Sequence, residues 1–122
     1  TPMLEEWYND SELHREGDKP AYIEYDIDGY VSVEQWFFHG EENRFDGKPT
    51  YVIREQGVIV AEYWERNGIR NRIDGPAMID YDTNGSVISK LYYKNGRDVT
   101  DEVVELQLQD GSHDLIFFME MI

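Results

Sequence analysis

Cysteine is absent from this chain of 122 residues, and no apolar run approaches the length of a membrane-spanning helix. The lack of cysteine excludes disulfides and thiolate metal sites, and it fits a reducing compartment. The first residues show no signal-peptide pattern. We therefore expect a cytoplasmic protein. A chain of this length buries one modest core, which predicts a single domain over 1–122.

Basic residues are scarce: the chain has 11 Lys and Arg but 26 Asp and Glu, which gives a formal net charge of −15. The excess lies at the two ends: residues 1–18 hold six acids and one base, and residues 98–122 hold seven acids and no Lys or Arg. Such a field repels nucleic acid and anionic membranes and attracts basic protein surfaces. We expect a basic protein surface as the partner, with no direct binding to nucleic acid or membrane.

Patterns that carry catalysis are also missing. His14, His39 and His113 share no metal-ligand spacing, and neither a nucleophile elbow nor a phosphate loop is present. Adjacent acids such as Glu5 and Glu6 would point to opposite faces of a strand, so they do not form a general acid and base. The sequence predicts a protein that is not an enzyme and holds no cofactor.

Tryptophan, in contrast, recurs at an almost fixed interval. Trp7, Trp36 and Trp64 are followed by Tyr92, at spacings of 29, 28 and 28 residues. An arginine follows each tryptophan by eight residues, and a proline and two glycines recur in step. A period of this length indicates one supersecondary unit that is copied. We assign about three units to residues 4–97 and an acidic C-terminal cap to 98–122.

Each unit has the pattern of a β-hairpin. Its first arm alternates in polarity after a proline, and a glycine turn leads to a return arm that runs into the tryptophan. The turns Asp28-Gly29 and Asn84-Gly85 indicate hairpins because both central residues tolerate positive φ. The sequence predicts a mainly β fold, an antiparallel meander of hairpins joined by loops of about eight residues. The predicted hairpins are 20–38, 49–66 and 76–94.

The arginine that follows each tryptophan indicates a guanidinium stacked on the aromatic ring or paired with a carboxylate. Because Arg15, Arg44 and Arg72 recur with the unit, we expect them to join the units. A set of phosphate-binding arginines does not fit the net charge.

The C-terminal segment leaves two alternatives. Acids at the start of 98–109 favour a helix, while the alternation of Val104, Leu106 and Leu108 with polar residues fits a strand. We expect a helical or mixed cap. The apolar stretch 114–122 should cover the open end of the sheet or bind a partner.

Calcium binding is a weaker alternative. Glu24, Asp26 and Asp28 with Gly29 match the first half of an EF-hand loop, and residues 80–87 repeat the pattern. The bidentate glutamate at position 12 is missing, so acids on the solvent face of a hairpin are the favoured interpretation.

The unit Trp-x-x-x-Gly-x-x-x-Arg-x-Asp-Gly-Pro-Ala, written here by residues 64–77, resembles the MORN-like β-hairpin repeats of uncharacterised bacteriophage and giant-virus proteins. The resemblance covers about residues 4–97. It implies a β-hairpin repeat and a viral origin, and a viral protein would act in the host cytoplasm. The partner would then be a host nucleic-acid-handling protein or a defence complex.

We hypothesise a non-enzymatic acidic interaction protein, whose finer form is a phage-encoded inhibitor that mimics nucleic acid because carboxylates stand in for phosphates. The alternatives are a structural or assembly module that is acidic only for solubility, and a calcium-binding domain. The predicted partner-binding acids are Glu5, Glu6, Asp10, Glu12, Glu34, Glu62, Asp98, Asp101, Glu102, Glu105, Asp110 and Asp114.

Overall fold

A computed structural model describes residues 3–109, 111 and 113–122. Short strands make up most of its regular structure, and two helices follow them. The strands are β1 (Leu4–Glu6), β2 (Tyr8–Asn9), β3 (Glu12–Leu13), β4 (Tyr22–Tyr25), β5 (Val31–Gln35), β6 (Phe37–Phe38), β7 (Glu41–Glu42), β8 (Tyr51–Glu55), β9 (Val58–Tyr63), β10 (Glu65–Arg66), β11 (Ile69–Arg70), β12 (Met78–Tyr81), β13 (Val87–Leu91), β14 (Tyr93–Lys94) and β15 (Arg97–Asp98). The helices are α1 (Thr100–Gln109) and α2 (Leu115–Met121).

Seven of the strands form one antiparallel sheet in the order β1-β4-β5-β8-β9-β12-β13. Strands that are adjacent in this sheet follow one another in chain order. Between some of them the chain leaves the sheet, forms a two-stranded ribbon and returns. The prediction of a mainly β antiparallel meander is confirmed. β1 and β13 are its two edges. No helix in the described part of the chain is long and apolar enough to cross a membrane.

The predicted return arm of each hairpin continues through the tryptophan, and this is wrong. The strand of the large sheet ends before the tryptophan, where the chain leaves the sheet. The backbone N–H of Trp36 still donates to Thr50 O at 2.9 Å, and the Asn43 N–H then donates back to Trp36 O at 3.2 Å. A two-stranded ribbon therefore fills what was predicted as a loop. Its turn contains His39 and Gly40, both at positive φ, which is the conformation of a tight two-residue hairpin. Four such ribbons occur among the described residues: β2–β3, β6–β7, β10–β11 and β14–β15.

The ribbons form a second row beside the sheet. The Gly40 N–H donates to Leu13 O at 2.9 Å, the Gly68 N–H to Glu42 O at 3.0 Å, and the Gly96 N–H to Arg70 O at 2.8 Å. Each glycine thus joins its ribbon to the preceding one. The sheet and the row of ribbons advance together, so that one hairpin and one ribbon are added at each step.

The turns of the larger hairpins also differ from the prediction. Asp28 and Asn84 are not at positive φ, although Gly29 and Gly85 are. The Asp26 side chain instead organises a wider turn, because its Oδ1 accepts hydrogen bonds from the Asp28 and Tyr30 N–H groups at 2.9 and 3.0 Å. The register shifts by one residue beside this turn, which is a β-bulge. Among the three turns, the predicted pair of positive φ values is found only at Gln56 and Gly57.

The core lies on the sheet face that carries the tryptophans. Trp36 and Trp64 are 7% and 8% exposed, whereas Trp7 in the first unit is 44% exposed. The indole N–H of Trp36 donates to Asp18 O of the preceding loop, and that of Trp64 donates to Gly47 O. Trp7 precedes the first of these loops, which accounts for its exposure. The same face buries Ala21, Ile23, Thr50, Val52 and Ala77.

The C-terminal cap is helical, which decides between the two predicted alternatives. Val103 of α1 and Met119 of α2 are fully buried against Val99, with Tyr92 packed beside them. Asp114 caps α2, because its carboxylate accepts from the Phe117 N–H at 2.9 Å. A strand over 98–109 would not bring Val103 onto this small core. In the apolar segment 114–122, Phe118 and Met119 are therefore buried inside the cap, whereas Ile116, Phe117 and Met121 remain exposed.

Candidate functional site: acidic surfaces at the two ends

The arginines of the repeated pattern are structural. The Arg44 guanidinium lies 3.7 Å from the centre of the Trp36 ring, and the stacks on Trp7 and Trp64 measure 4.0 and 3.9 Å. Each arginine also donates from Nη1 to the backbone oxygen of the next proline, at 2.9 to 3.2 Å. The predicted stacking is confirmed. A planar guanidinium suits this place because it covers an aromatic ring and donates in its own plane.

One of these arginines also joins two units through a carboxylate. Arg44 Nε and Lys48 Nζ lie 2.8 and 3.0 Å from the two oxygens of Asp18, in the loop of the preceding unit. The hydrogen bond from Arg44 is the largest cause that lowers the pKa of Asp18 to about 2. The last of these arginines, Arg72, pairs locally with Asp74. A Cβ at Gly75 would lie 2.5 Å from Arg72 Cζ, so this glycine leaves space for the guanidinium.

Three of the predicted partner-binding acids are held inside the sheet. Glu5, Glu34 and Glu62 occupy equivalent positions of successive strands, and each is half-buried. Each accepts a hydrogen bond from the side chain two residues beyond its cross-strand partner on the next strand. The pairs are Tyr25 Oη to Glu5 at 2.6 Å, Arg54 Nε to Glu34 at 2.9 Å, and Tyr81 Oη to Glu62 at 2.7 Å.

These contacts explain why a carboxylate recurs there. The carboxylate of one hairpin satisfies the polar side chain of the next, so the sequence feature follows from strand pairing. In the last pair, burial and the bond to Glu62 raise the pKa of Tyr81 to about 12. The three acids are therefore engaged within the sheet, and their role toward a partner stays a prediction.

The remaining N-terminal acids are at the β1 edge. Glu6, Asp10 and Glu12 are exposed, with Asp10 in the positive-φ turn between β2 and β3. Glu6 accepts a hydrogen bond from the exposed Tyr8 hydroxyl. The order of strands places this group at one end of the sheet, while the C-terminal acids follow β13 at the other. The predicted acids that the structure describes therefore do not form one surface.

The C-terminal acids are concentrated on α1. Asp101, Glu102 and Glu105 are exposed on this ten-residue helix, and α1 contains no Lys or Arg. Glu102 pairs with Arg97 at 2.7 Å, an exposed contact, and Glu105 accepts only from Gln109 among the residues that the structure describes. Exposed pairs of this kind contribute little to stability. Asp110, another predicted site residue, lies outside the described residues.

The other two predicted acids of the cap begin its helices. Asp98 accepts from the N–H and the hydroxyl of Thr100 at 2.9 and 2.6 Å, and these bonds lower its pKa. Asp114 caps α2. Both carboxylates remain exposed, so each combines a local structural contact with an accessible negative charge.

A cleft lies between the two helices beside these acids. Its lining includes the C-terminal residues of both helices, and neither helix has a basic residue in its last turn. Helix C-termini carry partial negative charge and favour cations. Exposed apolar side chains occupy the same helices, with Leu108 83% and Met121 60% exposed. The residues that line the cleft are Glu102, Glu105, Leu106, Gln109, Met121 and Ile122.

Most bases of the sheet and ribbons are used locally by the fold, and two of them contact the cap, namely Arg97 through Glu102 and Lys94 through the Met119 carbonyl. Six of the 11 Lys and Arg form ion pairs among the described residues, five of them within residues 18–80. Arg15 stacks on Trp7, and Lys94 donates to the Met119 carbonyl at 2.7 Å. The charge that remains available to a partner is therefore mainly negative.

Sequence reasoning missed a buried carboxylate pair between the ribbons. The Glu65 side chain is 7% exposed and accepts from Arg70 at 2.7 Å and from the Thr50 hydroxyl. Glu42 faces it from the neighbouring ribbon, with one buried oxygen that has no hydrogen-bond partner among the described residues. Burial, followed by the charge of Glu65, raises the pKa of Glu42 to about 7. One feature of the sequence could have indicated this pair. Glu65 is a carboxylate at a position where the other units have an aromatic residue, namely Tyr8, Phe37 and Tyr93.

The acids of the proposed calcium loops have local roles. Asp82 Oδ1 accepts from the N–H groups of Asn84 and Ser86 at 2.9 and 3.0 Å, which repeats the contacts of Asp26. Within the described residues, no group of three or more His, Asp or Glu could hold a metal ion. These carboxylates organise hairpin turns.

In comparisons with known proteins, no family model, no curated protein and no solved structure matches the chain. The candidate site is therefore defined by its own chemistry. The surface of α1 and α2 combines exposed carboxylates, one of them paired with Arg97, with exposed apolar side chains.

Proposed function

We propose that this protein is a non-enzymatic interaction protein whose acidic C-terminal cap occupies a basic surface of a partner protein. The observation that carries the proposal is the exposure of Asp101, Glu102 and Glu105 on one helix that contains no base. The seven-stranded sheet serves as the scaffold. In this proposal the sheet and its ribbons are a MORN-like stack of about three 28-residue units, which forms a single domain with the C-terminal helices.

The chemistry of the cap favours an arginine or lysine flanked by apolar side chains. The carboxylates attract the cation over a distance, and the C-terminus of α1, which has no basic residue in its last turn, adds partial negative charge at the cleft. Exposed Leu108 and Met121 beside the acids supply the apolar contact that gives affinity once the charges have met. Complementary fields of this kind increase the association rate and make it sensitive to salt.

The finer form of the proposal is a virus-encoded inhibitor that acts in the host cytoplasm. It would occupy the nucleic-acid-binding surface of a host protein or a defence complex. The ten residues of α1 span about 15 Å, since a helix rises 1.5 Å per residue, and its three exposed carboxylates lie within residues 101–105. One strand of B-DNA presents about four phosphates over that length. The charge density of the helix is therefore close to that of a single nucleic-acid strand.

The experiment compares two charge reversals of equal size. One variant carries Asp101→Lys, Glu102→Lys and Glu105→Lys, and its matched control carries Glu6→Lys, Asp10→Lys and Glu12→Lys at the opposite end. The unchanged protein is used to capture partners from lysate at low and high salt, and the captured protein is then titrated with the unchanged protein and with each variant. We expect the helix variant to lose affinity and salt dependence, while the control keeps both.

Competition with DNA separates the finer form from the general one. If the cap mimics nucleic acid, double-stranded DNA should displace the protein from its captured partner at low salt. A partner that binds the cap and DNA simultaneously would refute mimicry and leave the acidic interaction in place. If both reversals leave the affinity and its salt dependence unchanged, the interaction proposal is wrong. The acidity would then serve solubility in a structural module.

A further inference from the structure

The sheet has an open edge at the strand where another first arm would be expected. β1, β5 and β9 each pair on one side with the strand that opens the next unit, namely β4, β8 and β12. β13 occupies the corresponding place in the last unit, but among the described residues it pairs only with β12. Its Val87 and Ile88 are 48% and 68% exposed. An exposed strand edge presents unpaired N–H and C=O groups that another strand can use.

On β13, the residue at the position that receives an incoming strand differs from the residue found at this position on the other receiving strands. Elsewhere this position is Glu5, Glu34 or Glu62, and its carboxylate accepts from a tyrosine or arginine of that strand. On β13 the equivalent residue is Lys90, which pairs with Ile79 of β12 as the glutamates pair with their own preceding strands. Lys90 is exposed, and none of the described ion pairs includes it. The edge has kept the geometry of the other receiving strands and reversed the charge of the receiving side chain.

Helix α1 begins where the first residue of another first arm would lie. The N–H of Trp36 donates to Thr50 O and that of Trp64 to Ala77 O, each a residue that opens a first arm. The N–H of Tyr92 donates instead to the Thr100 hydroxyl at 2.9 Å. Thr100 thus closes the edge next to Tyr92. The part of β13 that runs from Lys90 to Val87 is left available.

We propose that β13 binds an extended segment of a partner protein as an added antiparallel strand, with a carboxylate of that segment paired to Lys90. By the geometry of the other strands, an apolar residue lies directly across from Lys90. The acid follows two residues later on the same face, in the place of Tyr25, Arg54 and Tyr81. The recognised pattern is therefore apolar-x-Asp or apolar-x-Glu in an extended strand. Main-chain hydrogen bonds hold the segment, and Lys90 selects it.

A partner is favoured over a second copy of this chain. Two β13 strands paired across a twofold axis at Lys90, the position that receives a strand elsewhere, would bring two Lys90 side chains together, and like charges at facing positions are destabilising. Each copy also carries a net charge of −15, which opposes self-association. The binding of a strand at β13 does not depend on the acidic surface of α1, so the two proposals stand or fall separately.

Two peptides and two proteins test the proposal. The first peptide has the sequence of residues 49–55, whose Arg54 suits a glutamate on the receiving strand, and the second carries Arg54→Glu to suit Lys90. Each is titrated at millimolar concentration into ¹⁵N-labelled protein, either unchanged or with Lys90→Glu. We expect the unchanged protein to prefer the Glu peptide by about five-fold, the size of a cross-strand charge pair. Lys90→Glu should reverse the preference, and the amide shifts should be largest from Val87 to Lys90.

The controls keep the result decisive. A peptide of the same composition as the Glu peptide but in scrambled order should shift no β13 amide. Because Lys90→Glu changes an exposed side chain to the residue of the other receiving strands, its spectrum should retain the sheet pattern. The preference of the unchanged protein between the two peptides is in any case measured without a variant. If neither peptide shifts β13 amides, or if both proteins prefer the same peptide, the proposal is wrong. A concentration-dependent dimer through β13 would also overturn the choice of a partner.

Discussion

The seven-stranded sheet and the C-terminal helices use their acidic side chains in different ways. In the sheet, Glu34 and Glu62 receive hydrogen bonds from the next strand and are half-buried. On α1, Glu105 is exposed and meets only Gln109 among the described residues. A carboxylate with an internal partner specifies strand pairing, and one without such a partner remains available for binding. Position in the fold therefore separates structural acids from candidate interaction acids.

The largest effect should come from the core that the sheet is built on. Trp36→Ala removes a buried indole, its hydrogen bond to Asp18 O and the ring under Arg44, and should lower the free energy of unfolding by about 4 kcal/mol. Trp7→Ala is the matched control, because it removes the same side chain and a similar arginine stack at a position that is 44% exposed. Urea unfolding should show less than half the loss for Trp7. Equal losses would contradict the assignment of the core.

The same charge reversal in the two regions tests the comparison directly. Glu62→Lys leaves the Tyr81 hydroxyl without its acceptor and should cost about 2 kcal/mol, while Glu105→Lys should change stability by about 0.5 kcal/mol or less. Absorbance titration gives a second reading: the pKa of Tyr81, now about 12, should fall in the Glu62 variant and stay unchanged in the other. If the two reversals cost the same, the division of acids is wrong.

The sequence predicted the sheet because its signal is local and repeated. The alternation of Ala21 and Ile23 with polar neighbours, followed by a glycine turn, defines a hairpin without any knowledge of distant contacts. The ribbons escaped prediction because their strands have only two residues, too few to show a period. Their signal was the pair of turn residues such as Asn67-Gly68, which has the form of a tight hairpin turn.

The candidate site was predictable in composition and not in arrangement. The excess of acids at 98–122 is visible in the sequence, and the acids at the start of 98–109 favoured the helix. What the sequence could not show is that Glu5, Glu34 and Glu62 are satisfied by the following strand, because this depends on the register between strands. The contact of Glu42 with Glu65 depends in the same way on how neighbouring ribbons stack.

The buried pair between the ribbons should produce a pH dependence that the exposed acids of the cap do not. The pKa of Glu42 rises from its ordinary 4.5 to about 7, so between these values the folded protein holds a proton that the unfolded chain has released. Stability should therefore fall as pH rises through this window. Glu65 and Arg70 face Glu42 from the neighbouring ribbon, and Arg70 opposes the shift.

Glu42→Gln removes that titration, and we expect it to raise the free energy of unfolding at pH 8 by about 1 kcal/mol and to flatten the slope between pH 5 and pH 8. Glu41→Gln, its exposed neighbour on the same ribbon, is the matched control and should leave the slope unchanged. Thermal unfolding across this pH range measures both variants. A slope that survives in Glu42→Gln would place the titrating group elsewhere.

The smallest effect is expected from calcium, which tests whether the turn acids of the sheet are already satisfied. Asp26 and Asp82 each receive two backbone N–H groups through one oxygen, so a metal ion would have to compete with the hairpin turn itself. Millimolar calcium should leave the melting temperature almost unchanged. A site with a hundredfold excess of ligand over its dissociation constant would instead add about 2.7 kcal/mol, a shift of several degrees for a domain of this size. Magnesium at equal ionic strength is the control for screening. A rise with calcium alone, abolished by Asp26→Asn with Asp82→Asn, would show that these carboxylates bind metal and that their turn contacts are secondary.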